Sequence, residues 1–112
     1  NEGANMIVYV INDGWYTTPP EPQQHAKQSI FRAIETRRPV VRCTNTGVSM
    51  IINQFGEVID QLELNKEGVI SSKEVYLDEK ITFYVKFGEW IVILSILYLI
   101  SQFVRIFYVQ KN

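Results

Sequence analysis

A single cysteine, Cys43, occurs in the 112 residues, so no internal disulfide can form and cysteine usage gives no reading of redox compartment. Basic residues do not predominate: 11 Lys and Arg stand against 12 Asp and Glu, with a formal net charge of -1 and a pI of about 5.8. The basic face that nucleic-acid binding needs is therefore missing, and no nucleic-acid partner is expected. No secretory leader opens the chain, because residues 1–5 are polar and carry only Glu2 as a charge. The first residue is Asn1 rather than methionine, which leads us to expect a fragment or a trimmed product. No metal or cofactor is expected.

What the chain does contain is unevenly spread. Its composition is 46% hydrophobic and 21% charged, ordinary for a small domain, but that average hides a split between residues 1–88 and the segment after them. From Trp90 the sequence reads WIVILSILYLISQFVRIFYV, long enough to cross a bilayer as a helix. Ser95 and Ser101 can turn their hydroxyls onto backbone carbonyls, and Arg105 lies near the end, where its stem can reach headgroups. Trp90 at one end and Phe107 and Tyr108 at the other match interfacial aromatic anchoring. Arg105 and Lys111 against Lys86 and Glu89 place the C-terminus in the cytoplasm and residues 1–88 outside it.

Within residues 1–88 the pattern alternates strand, helix, then strands. Residues 6–11 (MIVYVI) are β-branched and almost wholly apolar, as in a strand buried on both faces. Asn12-Asp13-Gly14 ends it, and a stiff loop continues to Pro22. Such a loop at the C-terminal end of a strand is where α/β folds build sites. Residues 23–37 read as a helix with Ala26, Ile30, Ala33 and Ile34 on one face, closed by Pro39. Strands are expected over 40–44, 47–53, 57–64 and 69–77, with turns at 53–56 and 65–68. The order gives an α+β layered fold.

Three ordered stretches carry a resemblance. The first is Asn12-Asp13-Gly14-Trp15-Tyr16 followed by Pro22-Gln23-Gln24-His25. The second runs Phe31-Arg32-Ala33-Ile34-Glu35, Arg38-Pro39-Val40-Val41-Arg42 and Thr44-Asn45-Thr46-Gly47. The third is Tyr84, Gly88 and Trp90 leading into the apolar helix. Together they resemble the apolipoprotein N-acyltransferase family, in the C-terminal part of its nitrilase-type (carbon–nitrogen hydrolase) domain and its last membrane helix. The resemblance implies a partial αββα sandwich over residues 1–88, followed by one transmembrane helix and a short cytoplasmic tail over 89–112. It implies residence in the bacterial inner membrane with the nitrilase-like domain on the periplasmic side. It implies acyl transfer from a phospholipid donor to the N-terminal cysteine amine of a diacylglyceryl-modified lipoprotein, through a Cys thioester with a Glu base and a Lys. None of those three residues has a counterpart here, so no catalytic residue is expected and the chain alone should be inactive and poorly folded. Departures include Thr17 for a common Gly, Phe83 for a usual Pro and Lys86 for a usual Arg.

The candidate substrate-binding residues are Trp15, Tyr16 and His25. By resemblance Trp15 lies beside the active-site cleft, where its flat face could shape an acyl pocket; ordinary loop packing explains it equally well. His25 could transfer a proton, or could simply hold the loop down. A Cys43–His25–Asp13 triad is conceivable, but Cys43 in an apolar strand reads as a buried packing residue. Arg32 and Glu35, three apart on the helix, are expected to pair, with Arg37, Arg38 and Arg42 nearby in a structural network or a phosphate site. Asn45 is expected to satisfy backbone groups before Gly47. A soluble-type nitrilase or amidase, and a non-catalytic membrane-anchored binding module, are the rival readings.

Overall fold

The computed structural model describes residues 3–16, 18–72 and 75–111, with side chains up to Tyr108. Seven elements follow in order: β1 (Ile7–Ile11), α1 (Glu21–Thr36), β2 (Val40–Thr44), β3 (Ser49–Ile52), β4 (Val58–Leu62), α2 (Phe83–Phe87) and α3 (Trp90–Lys111). The strands form one mixed sheet in the order β1-β2-β3-β4. β1 and β2 are parallel, with Ile7 opposite Val40, and α1 makes the crossover that parallel pairing requires. β2–β3 and β3–β4 are antiparallel hairpin neighbours.

α1 can lie close on the sheet because small residues line its inner face. Ala26, Ser29 and Ala33 are buried there at helical spacing. Beneath them lie Val40, Met50 and Ile52, with Val48 beside them and Ile7, Tyr9 and Ile30 packed around. The helix begins two residues earlier than its apolar periodicity suggests. Pro22 fits in its first turn, where a missing N–H costs nothing. It ends at Arg37, which caps it in the left-handed region at φ 56. The turn after β3 is equally local. Asn53 Oδ1 accepts from the backbone N–H of Phe55 (2.9 Å) and Glu57 (3.0 Å). Gly56 adopts φ +86, and a Cβ there would collide with Ile34.

Two expectations need correction. The strand at residues 6–11 is not buried on both faces. Ile7, Tyr9 and Ile11 face α1, whereas Val8 and Val10 point to the opposite face, where Val10 is 86% exposed. β1 is also an edge strand. Its composition suits a central strand; the described residues offer no layer to cover it. The strand expected at 69–77 is absent among the described residues, with Lys73 and Glu74 outside them. Ser71 meets β4 through the Asp60 carboxylate rather than through a backbone ladder (N to Oδ2, 3.4 Å).

Residues 78–82 are instead fastened by arginines. Arg38 donates to the carbonyls of Ala4 (2.7 Å), Asp78 and Lys80 (3.1 Å), and Arg37 Nε pairs with Asp78 Oδ2 at 3.3 Å. Thr82 donates to the carbonyl of Glu35. The chain divides after Thr82 into two units, Asn1–Thr82 and Phe83–Asn112. In the second unit the Phe83 ring stacks on Phe87 and meets Trp90 edge-on at centroid distances of 4.4 and 5.3 Å. α3 is long and apolar enough over Trp90–Tyr108 to cross a membrane.

Two outcomes follow from these contacts. Residues 1–88 expressed alone should give no cooperative unfolding transition, because the uncovered β1–β2 face promotes association; a single cooperative melt by circular dichroism would contradict this. The N–H of Lys80 donates to Asp78 (2.9 Å) and, with Arg37 and Lys80 charge nearby, holds its carboxyl below the ordinary value of 3.8. A depressed carboxylate pKa stabilises the fold above the unfolded value and loses that contribution as pH falls through the folded one. Carboxyl NMR should therefore show Asp78 titrating below 3.8, and Asp78→Asn should abolish the associated loosening of residues 78–82 in acid.

Candidate functional site

The parallel β1–β2 pair ends in two adjacent loops, residues 12–20 and 45–48, and polar side chains tie them together. Asn12 Oδ1 accepts from the Gly14 N–H (3.0 Å) and from Asn45 Nδ2 (2.7 Å). Asn45 Oδ1 in turn accepts from the backbone N–H of Asp13 and of Thr46, both at 2.9 Å. Asn45 thus satisfies the backbone before Gly47 as expected, and does so for both loops.

Beneath this bridge lies a buried ion pair. Asp13 is 1% exposed and Arg42 is 2% exposed. Arg42 Nη2 meets Asp13 Oδ2 at 2.7 Å, and Arg42 Nε donates to the carbonyl of Val48 at 3.2 Å. Ser29 Oγ lies 3.5 Å from Arg42 Nη1, the outer limit of a hydrogen bond. The other carboxylate oxygen, Asp13 Oδ1, meets His25 Nδ1 at 2.8 Å. A carboxylate can only accept, so His25 Nδ1 is the donor in this contact. The Tyr16 ring packs on His25 with centroids 5.5 Å apart. His25 therefore grips the loop at two points, Asp13 and Tyr16.

The three candidate residues occupy one neighbourhood. Tyr16 and His25 touch, whereas Trp15 projects outward at 83% exposure. Thr17, the next residue of the loop, lies outside the described residues. Beside the network opens a cleft of about 420 Å³, lined by Tyr9, Ile11, His25, Ser29, Arg32 and Arg42 among others. Arg32 is engaged with Glu35 at 2.8 Å, the pairing their spacing implies. Among the described residues no set of three His, Cys, Asp or Glu side chains is disposed around a metal position.

Cys43 is exposed, contrary to the buried packing expected of it. Strand pleating explains why: Arg42 faces α1 and Asp13, so its neighbour Cys43 points to the uncovered side with Val8 and Val10. The same alternation rules out a Cys43–His25–Asp13 triad, since two of its members lie on one face of the sheet and the third on the other. The partner that sequence reasoning missed for Asp13 is Arg42. The signal was present: Arg42 is the lone charge in the apolar strand VVRCT, and a buried charge demands an opposite one.

The network leaves no spare room. A Cβ at Gly47 would overlap the Asp13 carboxylate. Gly47→Ala must therefore displace Asp13 from Arg42, and should cost about 3 kcal/mol, the low end for breaking a buried pair. Chemical denaturation of the detergent-solubilised complete gene product would show it, and an unchanged midpoint would refute the packing argument.

Comparison with known proteins agrees with this architecture. The family profile of carbon–nitrogen hydrolase matches residues 1–76. The chain is 43% identical over 99 residues to the apolipoprotein N-acyltransferase of Bdellovibrio bacteriovorus, covering 86% of this chain and 18% of that protein. It is 32% identical over 111 residues to the apolipoprotein N-acyltransferase of Thermotoga maritima, covering 98% of this chain and 22% of that protein. It is 39% identical over 103 residues to the one from Rickettsia bellii, covering 88% and 20%. The chain thus spans about a fifth of the length of the curated relatives it matches. Its mixed sheet with α1 on one face, its ordered loop motifs and the profile match over most of its length lead to one conclusion: the chain belongs to the carbon–nitrogen hydrolase family.

Proposed function

We propose that this chain is the C-terminal part of a membrane-anchored N-acyltransferase, which moves a fatty acyl chain from a phospholipid to the N-terminal cysteine amine of a diacylglyceryl-modified lipoprotein. The observation that carries this reading is the extent of the likeness. The hydrolase profile ends at residue 76, yet the match to the Thermotoga maritima protein covers 98% of the chain and so takes in most of α3. A soluble amide hydrolase has no use for an apolar helix of that length. In this reading residues 1–88 belong to a nitrilase-like domain on the periplasmic side of the inner membrane, and 89–112 form the membrane helix and a cytoplasmic tail.

The chemistry is covalent catalysis. A Cys thiolate attacks the phospholipid ester and expels the lysophospholipid. The resulting thioester is then attacked by the lipoprotein amine, which takes the acyl group and regenerates the thiolate. A Glu serves as base and a Lys steadies the oxyanion. All three come from outside this chain. The part played here is to present an aromatic surface beside the acyl site. The Asp13–Arg42 pair and His25 fix the loop, and the loop presents Trp15 and Tyr16 as flat apolar surface for an acyl chain.

Two measurements test the proposal with a fluorescent phospholipid donor and a diacylglyceryl lipopeptide acceptor. The 112-residue chain alone should release no lysophospholipid, and turnover by it would refute the division of labour. In the complete gene product, Trp15→Ala should lower turnover about tenfold, equivalent to ~1.4 kcal/mol of lost transition-state binding. Full activity in that variant would remove Trp15 from the site, and amide hydrolysis without acyl transfer by the unmodified protein would overturn the reading itself.

A further inference from the structure

α1 covers only part of the sheet. It packs on β2 and β3 and leaves much of β4 open. Cross-strand partners share a face, so Gln61 opposite Met50 and Val58 opposite Ile52 stand on the side that α1 occupies. Both are nonetheless exposed. Between them and the helix runs a groove of about 550 Å³, a size that suits a bound ligand. Gln23, Lys27 and Ile30 form its helical wall, on one stripe of α1, and Val48 and Met50 form its floor. It lies on the opposite flank of α1 from the cleft beside Arg32 and Arg42, since that cleft borders β1 and this groove borders β4. One end opens beside the two tied loops. Gln23 stands in the first turn of α1, two residues before His25. The Asn65 N–H donates to the Thr46 carbonyl at 3.0 Å, which brings Glu63, at the groove's rim, close to residues 45–48.

The chemistry of the groove selects its occupant. Gln23 Oε1 is buried and has no hydrogen-bond partner among the described residues. A buried acceptor calls for a donor, which a bare hydrocarbon chain cannot supply. Ile30, Val48 and Met50 call for an apolar group, which a small polar ion cannot supply. Lys27 and Glu63 flank the groove with opposite charges, are exposed, and form no ion pair among the described residues. An extended peptide meets all three demands, with main-chain N–H groups, alternate side chains that can be apolar, and polar groups for both charges. We infer that this groove takes the peptide chain of the acceptor, the residues that follow its lipid-modified cysteine. The inference rests on the acyltransferase reading above and adds to it a seat for the acceptor. In that reading the aromatic loop receives hydrocarbon, so the peptide needs a hydrogen-bonding surface that starts beside the loop and leads away from it. A main-chain N–H of the peptide donates to Gln23 Oε1, and an apolar side chain rests over Met50.

The test is steady-state acyl transfer by the complete gene product from a fluorescent phospholipid to two acceptors. One is a diacylglyceryl-modified cysteine amide, and the other carries several further residues after the same cysteine. The longer acceptor should show the lower KM, by about fivefold, the order of one neutral hydrogen bond. Two variants probe the groove. Gln23→Leu removes the acceptor oxygen, and Gln61→Trp fills the groove from an exposed position without touching the core. Each should raise the KM of the longer acceptor to that of the shorter one, so that the difference between them disappears. Should Gln23→Leu fail to fold, Gln61→Trp decides alone. Equal KM values for the two acceptors with the unmodified protein, or a difference that survives in Gln61→Trp, would overturn the groove as the acceptor's seat while leaving the acyltransferase reading intact. Transfer to neither acceptor would bring down that reading, and the inference with it.

Discussion

One buried ion pair organises this domain. Asp13 and Arg42 meet at 2.7 Å in a place that neither could occupy alone, since an unpaired charge there would carry a penalty of several kcal/mol. Their pairing joins the end of β1 to the middle of β2. Arg42 extends the link to the carbonyl of Val48, and Asp13 extends it to His25 on α1. Four segments thus converge on two side chains. A buried pair of this kind adds little net stability compared with apolar packing, but it tolerates few alternatives. The loop after β1 can follow only a path that brings Asp13 to Arg42, and so Trp15 emerges in a defined place.

The pair also explains the neighbouring residue types. Ser29 interrupts the apolar face of α1 where the guanidinium passes. Gly47 is required because the carboxylate fills the space a side chain would take. Asn12 and Asn45 close the top of the network by satisfying backbone groups that two facing loops would otherwise leave open. Each of these residues looks like a separate turn or helix preference until the ion pair is located. In the proposed function, a loop fixed from below would offer an exposed aromatic surface without collapsing onto the domain.

Much of this was legible in the sequence, and the failures have physical causes. The extent of β2, the turn closed by Gly56 and the Arg32–Glu35 pair follow from local patterns, because nothing distant competes with them. Residues 69–77 carry apolar residues suited to a strand, yet β4 offers them the Asp60 side chain rather than a ladder, and Val69 remains 94% exposed. Local propensity cannot show that a pairing edge is unused. β1 fails in the opposite sense. Its continuous apolar run is that of a strand with neighbours on every side, and here it has only β2 and α1. The exposure of Cys43, Val8 and Val10 is the same discrepancy seen from the sheet face, and it matches a chain that spans a fifth of its relatives' length. The Asp13–Arg42 pair was only half legible: the lone charge in β2 signals that Arg42 needs an opposite one, but 29 positions separate it from Asp13 and only the fold shows which carboxylate answers it.

The central claim is that this pair, acting as a unit, holds the loop that bears Trp15. A double-mutant cycle on the complete protein tests it directly, with Asp13→Asn, Arg42→Met and the combination compared by hydrogen exchange of the loop amides and by denaturation. The account predicts that each single change strips protection from the Asp13 and Tyr16 amides, and that the double change costs far less than the sum of the two. Strict additivity, with the loop still protected in each single variant, would mean that the pair is incidental and that something else fixes the loop.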